Sequence, residues 1–175
     1  MNIKAMNLFL SDDNIKRHLE YLRNCRLKFS ILEKSVPELK GKEMSEICRL
    51  GFPREVKDEA LELLWKIKSH QCFFHSFSET PGRSEALNRT YSSGEKFLYE
   101  LYLEAMKREY GFLYVYQERG TIKMEFMTEF DKTFLKINPL LALDLYEHTY
   151  FSDYGFAKDK FVRNALMYFD TSKLN

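Results

Sequence analysis

The sequence predicts an α+β chain, with an N-terminal antiparallel helical hairpin followed by a region that mixes helices with three strands. Three observations carry this reading. Two long stretches with helical apolar spacing flank a short segment punctuated by proline and glycine. At Phe112 the pattern changes to an aromatic and β-branched run. The strand-like runs then follow one another after the helices instead of alternating with them, which favours α+β over repeated parallel units.

Each element has its own signal. Ser11-Asp12-Asp13-Asn14 supplies capping side chains for the free amides of a first turn. Ile15, Leu19, Leu22, Leu27, Ile31 and Leu32 follow at near-helical spacing, with one slip, so a helix is expected to about Lys34. Val36-Pro37 ends it, because the residue before proline avoids helical angles. Lys42 to Arg49 reads as a short helix stopped by Gly51-Phe52-Pro53. Glu55 to about Ser76 reads as the second long helix, with Val56, Ala60, Leu63, Leu64, Ile67, Cys72 and Phe74 on its apolar side. A short turn between two long helices makes an antiparallel hairpin. Residues 78–93, with Pro81-Gly82 and Ser92-Ser93-Gly94, read as a linker. Glu95 to Glu109 is helical again. Phe112 to Tyr116, Thr121 to Met127 and Pro139 to Asp144 are the strands, the first two joined by Glu118-Arg119-Gly120. Lys158 to Phe169 is a closing helix.

Composition narrows the function classes. With 175 residues, 45% hydrophobic and 30% charged, the chain can build a core for one domain or two small ones. A formal net charge of +1 argues against a nucleic-acid partner bound through a broad basic face. The cluster Lys16, Arg17, Arg23, Arg26 and Lys28 reads first as a solvated helix face. Cys25, Cys48 and Cys72 form no C-x-x-C pair, which excludes common zinc-finger and thioredoxin-like patterns and fits inert thiols in a reducing compartment. No apolar run approaches the roughly 20 residues of a membrane span. The start, MNIKAMNLFLSDD, does not read as a signal peptide. A cytoplasmic protein without membrane or nucleic-acid partners is the expectation.

The chemistry-bearing residues are few. There are four histidines, His18, His70, His75 and His148. Any one alone reads as a structural imidazole more readily than as a ligand. Asp144 and His148 are also compatible with an ordinary surface pair at i, i+4. Against that stand Leu140, Leu141, Leu143, Leu145, Tyr146, Tyr150 and Phe151, apolar company in which an ionised carboxylate needs a partner. A metal cation satisfies both groups, and His18 and His70 could meet across the hairpin. Three imidazoles and one carboxylate suit iron, manganese or zinc better than calcium or magnesium.

The tail NPLLALDLYEHTYFSDYGFAKDKFVRNAL resembles the C-terminal signature of the iron/manganese superoxide dismutases. In that family a D-x-W-E-H-A-Y element supplies two metal ligands. Asp144 and His148 fall on them, and Glu147 falls on the intervening glutamate. LSDDNIKRH resembles the opening of the family's first long helix, with His18 on a ligand histidine. GKEMSEICR resembles its middle hairpin segment. KSHQCFF resembles the N-H-x-F-Y-W stretch, with His70 on the other ligand histidine. RGTIKME fits its hairpin strand. The resemblance implies a helical hairpin (residues 1–78) packed on an α/β domain with a three-stranded antiparallel sheet (79–175). It also implies one iron or manganese ion per subunit between them, held by His18, His70, Asp144, His148 and a solvent molecule. The implied activity is antioxidant: the metal oxidises one superoxide to dioxygen and reduces the next to hydrogen peroxide.

The departures from the family pattern are specific. Leu22 stands where the family has a channel histidine, and Arg26 where it has a gateway tyrosine. Phe151 replaces a tyrosine that reaches that histidine across the dimer. Phe112, Tyr114 and Tyr146 take the places of pocket tryptophans. Lys66 occupies the iron-type glutamine position, and Glu129 lies near the manganese-type one. Replacing both members of a hydrogen-bonded pair by apolar groups can be nearly neutral. A homodimer is therefore expected, with Leu22 against Phe151 of the partner subunit and Glu147 accepting from His148 of the partner subunit. Arg26, at the channel mouth, would favour a small anionic substrate, and Tyr146 and Glu147 would complete the reaction site. Two rival readings remain open. One is a metal-binding or structural, assembly protein on this fold without dismutase activity. The other is a different redox reaction on a larger substrate.

Overall fold

A computed structural model describes residues 2–174. The observed elements are α1 (Ile3–Met6), α2 (Asp12–Ser35), α3 (Met44–Arg49), α4 (Arg54–His75), α5 (Ala86–Tyr91), α6 (Gly94–Met106), β1 (Phe112–Glu118), β2 (Thr121–Met127), β3 (Pro139–Asp144), α7 (Glu147–Tyr154) and α8 (Lys158–Met167), with short 3₁₀ turns at Pro37–Leu39, Lys132–Leu135 and Thr171–Leu174. This is the α+β arrangement expected. Ser11 caps α2, its Oγ accepting from the Asn14 amide at 3.2 Å. α2 and α4 pack as the long arms of the hairpin.

The sheet is antiparallel in the order β2-β1-β3. Arg119 and Gly120 form a two-residue turn with φ of +50° and +79°, the left-handed pair whose twist suits a tight hairpin. In β1, Phe112 to Tyr116 are all buried, because the strand is central and covered on both faces. β3 lies on the other side of β1, with Phe112 opposite Asp144 and Tyr114 opposite Ala142. α4 packs on β3 and satisfies its free edge, the Ala142 amide donating to Ser76 Oγ at 2.7 Å. The end of α4 is tied to the C-terminal segment, the Asp170 amide donating to the Ser76 carbonyl at 2.8 Å and the Ser78 amide to the Tyr168 carbonyl at 2.9 Å.

Several expectations need correction. The stretch 78–93 is not all linker: it holds α5, anchored by the fully buried Leu87. α1 was missed because four residues are too short for a periodic signal. α7 was missed because its aromatic residues alternate with Ser and Asp and give no clear stripe. α6 ends at Met106, three residues before Glu109. Leu27 and Ile31 do not belong to the buried stripe of α2. They are 58% and 55% exposed, and the buried face runs through Ile15, His18, Leu22 and Cys25.

Gly111 sets the approach of β1 to its neighbours. Its φ is +132°, and a Cβ there would lie 2.7 Å from the Met127 carbonyl oxygen and 2.7 Å from the Phe126 ring. Its own carbonyl accepts from the Leu145 amide at 2.8 Å, next to the end of β3. Gly111→Ala is expected to cost about 1–3 kcal/mol, read as a lower denaturant midpoint, and an unchanged midpoint would contradict this.

Candidate metal centre

Four side chains from four elements converge where the hairpin meets the sheet. Asp144 ends β3 and is 0% exposed. Its Oδ1 accepts from the Tyr146 amide at 3.0 Å, bending the chain directly into α7. That short turn places His148, the second residue of α7, beside the carboxylate, its Nε2 3.6 Å from Asp144 Oδ2. From the hairpin, α2 brings His18 Nε2 to 3.2 Å from the same oxygen and α4 brings His70 Nε2 to 3.7 Å. The four candidate ligand atoms all lie within 4.8 Å of one another.

Hydrogen bonds fix these positions. His70 Nδ1 lies 2.6 Å from the Lys66 carbonyl. A carbonyl only accepts, so Nδ1 carries the hydrogen and Nε2 presents its lone pair to Asp144. At the other end of the cluster, α2 is strapped to α7. Asn14 Nδ2 donates to the Thr149 carbonyl and to Asp153 Oδ2, both at 3.0 Å, and Asp153 also accepts from the Ser11 amide at 2.8 Å and the Ser11 hydroxyl at 2.6 Å. Asn14 is one turn before His18, and Thr149 follows His148. The strap therefore sets the spacing of those two imidazoles.

The walls are aromatic. Phe73 stacks on His18 with centroids 5.3 Å apart, Phe74 lies 5.2 Å from it, and Phe112 meets His70 edge-on at 5.1 Å. Tyr21 lies over the more open side, 5.0 Å from His148 and 5.1 Å from His70. His148 is 37% exposed along its side chain, so solvent reaches the cluster there.

The electrostatics call for a cation. Burial pushes His70 down to about 4 despite the attraction of Asp144, so it is neutral at neutral pH. Burial also lowers His148, with Asp144 again opposing. For Asp144, burial alone would raise the pKa, but the three facing imidazoles, His18 foremost, hold it at about 2. An ionised oxygen and an imidazole lone pair thus face each other in a dry interior. His18 Nε2, His70 Nε2 and Asp144 Oδ2 are buried without a hydrogen-bond partner. Bonds of about 2.1 Å to one ion at angles of 90–120° put ligand atoms about 3.0–3.7 Å apart, which matches the three distances to Asp144 Oδ2. The residues fit a transition-metal ion with mixed nitrogen and oxygen donors.

A family model described as iron/manganese superoxide dismutases, C-terminal domain, matches residues 80–175. The chain belongs to the iron/manganese superoxide dismutase family. Among curated proteins no match is found. The matched stretch contains Asp144 and His148. His18 and His70 lie outside it and reach the same point only through the hairpin. Membership in this superoxide dismutase family implies iron or manganese as the metal.

The other residues singled out from the sequence are more dispersed. Tyr146 caps the start of α7, stacks on His148 at 5.6 Å and donates its hydroxyl to the Thr128 carbonyl. Glu147 and Phe151 are exposed on α7. Leu22 is 4% exposed and, with Arg26, lines a pocket that none of the four cluster residues lines. Lys66 pairs with Glu62 at 3.1 Å, and Glu129 is exposed beside Arg54 and Asp58. His148 is less buried than its apolar sequence neighbours suggested. Tyr21 was missed, although its i+3 spacing from His18 put it on the same helical face. The partners of Asn14 were unreadable because they lie on α7, 135 to 139 positions away.

In chelator-treated protein, iron(II) or manganese(II) at about 100 times its Kd is expected to stabilise the fold by about 2.7 kcal/mol, a rise in Tm of roughly 5–10 °C. Asp144→Asn should abolish that rise, and a rise that survived it would place the metal elsewhere.

Proposed function

We propose that this chain is a divergent superoxide dismutase-like metalloprotein. His18, His70, Asp144 and His148 hold one iron or manganese ion per subunit, and two superoxide anions and two protons become dioxygen and hydrogen peroxide. The observation that carries the reading is the set of three imidazole nitrogens around one buried carboxylate oxygen, in a chain whose matched family uses such a metal. When bound, the ion would supply a one-electron couple able to oxidise one superoxide and reduce the next. The protein's own groups do the rest. The Lys66 carbonyl fixes the His70 tautomer, the Tyr146 amide holds one oxygen of Asp144, and Phe73, Phe74 and Phe112 exclude water from the inner side.

Both nearby phenols remain protonated at neutral pH. Burial pushes Tyr21 up to about 12, with Cys25, Asp144 and Glu62 adding to the shift. Tyr146 is raised further, again by burial first and Asp144 second. Tyr146 spends its hydrogen on Thr128, which leaves Tyr21 as the phenol at the open side of the cluster. The second reading, a metal-binding or assembly protein without turnover, is favoured by Leu22, where an apolar side chain replaces a hydrogen-bonding one.

The deciding experiment pairs metal content of purified protein with superoxide turnover, for wild type and His70→Ala. Stoichiometric iron or manganese with turnover that is lost in His70→Ala supports dismutation. Metal without turnover selects the metal-binding form of the second reading, and no bound metal in wild type removes dismutation and leaves only a structural or assembly role.

A homodimer is part of the proposal. Glu147 and His148 open α7 on an exposed surface, and Phe151, 44% exposed, stands one turn on beside Phe156 with ring centroids 5.2 Å apart. Glu147 would accept from His148 of the partner subunit. Light scattering is expected to give twice the chain mass, with Glu147→Ala shifting the protein toward monomer, whereas a wild-type monomer at assay concentration would refute the pairing.

A further inference from the structure

The outer groove of the hairpin holds a second pocket, of about 260 Å³. Its apolar floor is Leu19, Leu22 and Phe74, and its polar rim is Arg23, Arg26 and Gln71. Phe74 also lies against His18, so the floor separates the pocket from the four-residue cluster. Among the described residues, neither guanidinium has an ion pair or a hydrogen bond, and the Gln71 amide has no partner either. No acidic side chain lines the pocket. His75, at its end, has its basicity lowered chiefly by burial.

We infer that this pocket binds a small organic carboxylate: one anionic head on a compact apolar body. Two arginines offer ten N–H donors and no acceptor, and Gln71 adds an amide, so the wall lacks an anion for its donors to meet. Arginine pairs with a carboxylate through two parallel hydrogen bonds, which a single inorganic ion of small size uses less well. Leu19, Leu22 and Phe74 would cover an apolar body, and the volume limits that body to about the size of one ring. The site shares no side chain with the four-residue cluster, so its occupancy does not require the metal.

Benzoate is the probe, with acetate as the charged group without a ring and benzyl alcohol as the ring without charge. Calorimetry on the full chain should show saturable benzoate binding, with acetate and benzyl alcohol each weaker by about tenfold or more. The double variant Arg23→Gln, Arg26→Gln changes two exposed side chains, and near-UV circular dichroism checks that it folds. It should weaken benzoate by about tenfold or more while leaving metal content unchanged. Three results would overturn the assignment. They are no saturable benzoate binding, benzoate affinity unchanged in the double variant (which would place it away from the arginine rim), and binding only on dilution to monomer. The last would mean that Phe151 of the partner subunit fills the pocket.

Discussion

One buried oxygen organises this molecule. Asp144 Oδ2 has no hydrogen-bond partner, no solvent exposure, and three imidazole nitrogens within 3.7 Å. An ionised oxygen that faces the His70 lone pair is costly in a dry interior unless a cation completes the arrangement. Much of the surrounding structure holds that arrangement in place. The β1–β3 register puts Asp144 opposite Phe112, the Tyr146 amide takes the other carboxylate oxygen, and the Lys66 carbonyl turns the His70 lone pair inward.

The scaffold meets this demand with rigid parts. Two long helices contribute one histidine each, and the sheet contributes the carboxylate at a strand end, where backbone hydrogen bonding leaves little freedom. The second half of the site depends on a very short connection: two residues separate Asp144 from the start of α7. The strap of Ser11, Asn14, Asp153 and Thr149 then joins the beginnings of α2 and α7. That strap links the hairpin, outside the matched family stretch, to the helix that carries His148 within it.

The inner walls are phenylalanine, the more open wall is tyrosine, and burial keeps both tyrosine hydroxyls protonated. Leu22 carries the same logic to the outer face of the hairpin. An apolar residue there closes the protein interior behind the cluster and at the same time floors a separate pocket with an arginine rim. A single helix, α2, therefore serves two surfaces of different chemistry, with His18 and Tyr21 toward the four-residue cluster and Leu19, Arg23 and Arg26 toward the groove.

The sequence by itself determined the hairpin and the three strands, because these rest on local chemistry, and it pointed to the four residues that meet at the centre through the family resemblance. Ser11 is a cap wherever it occurs before a helical stripe, Arg119-Gly120 suits a tight turn, and β-branched and aromatic runs favour strands. The histidines stood out through their scarcity and through the motif around Asp144 and His148. Only the tertiary structure decided that a helix starts at Glu147, directly after the strand that ends at Asp144, and that Leu27 and Ile31 face solvent although their spacing is nearly that of the buried stripe. Tyr21, Asn14 and the arginine-rimmed pocket also emerged only there. Periodicity specifies which side chains share a face, but burial depends on what packs against that face, and for these residues the deciding neighbours are distant in the chain.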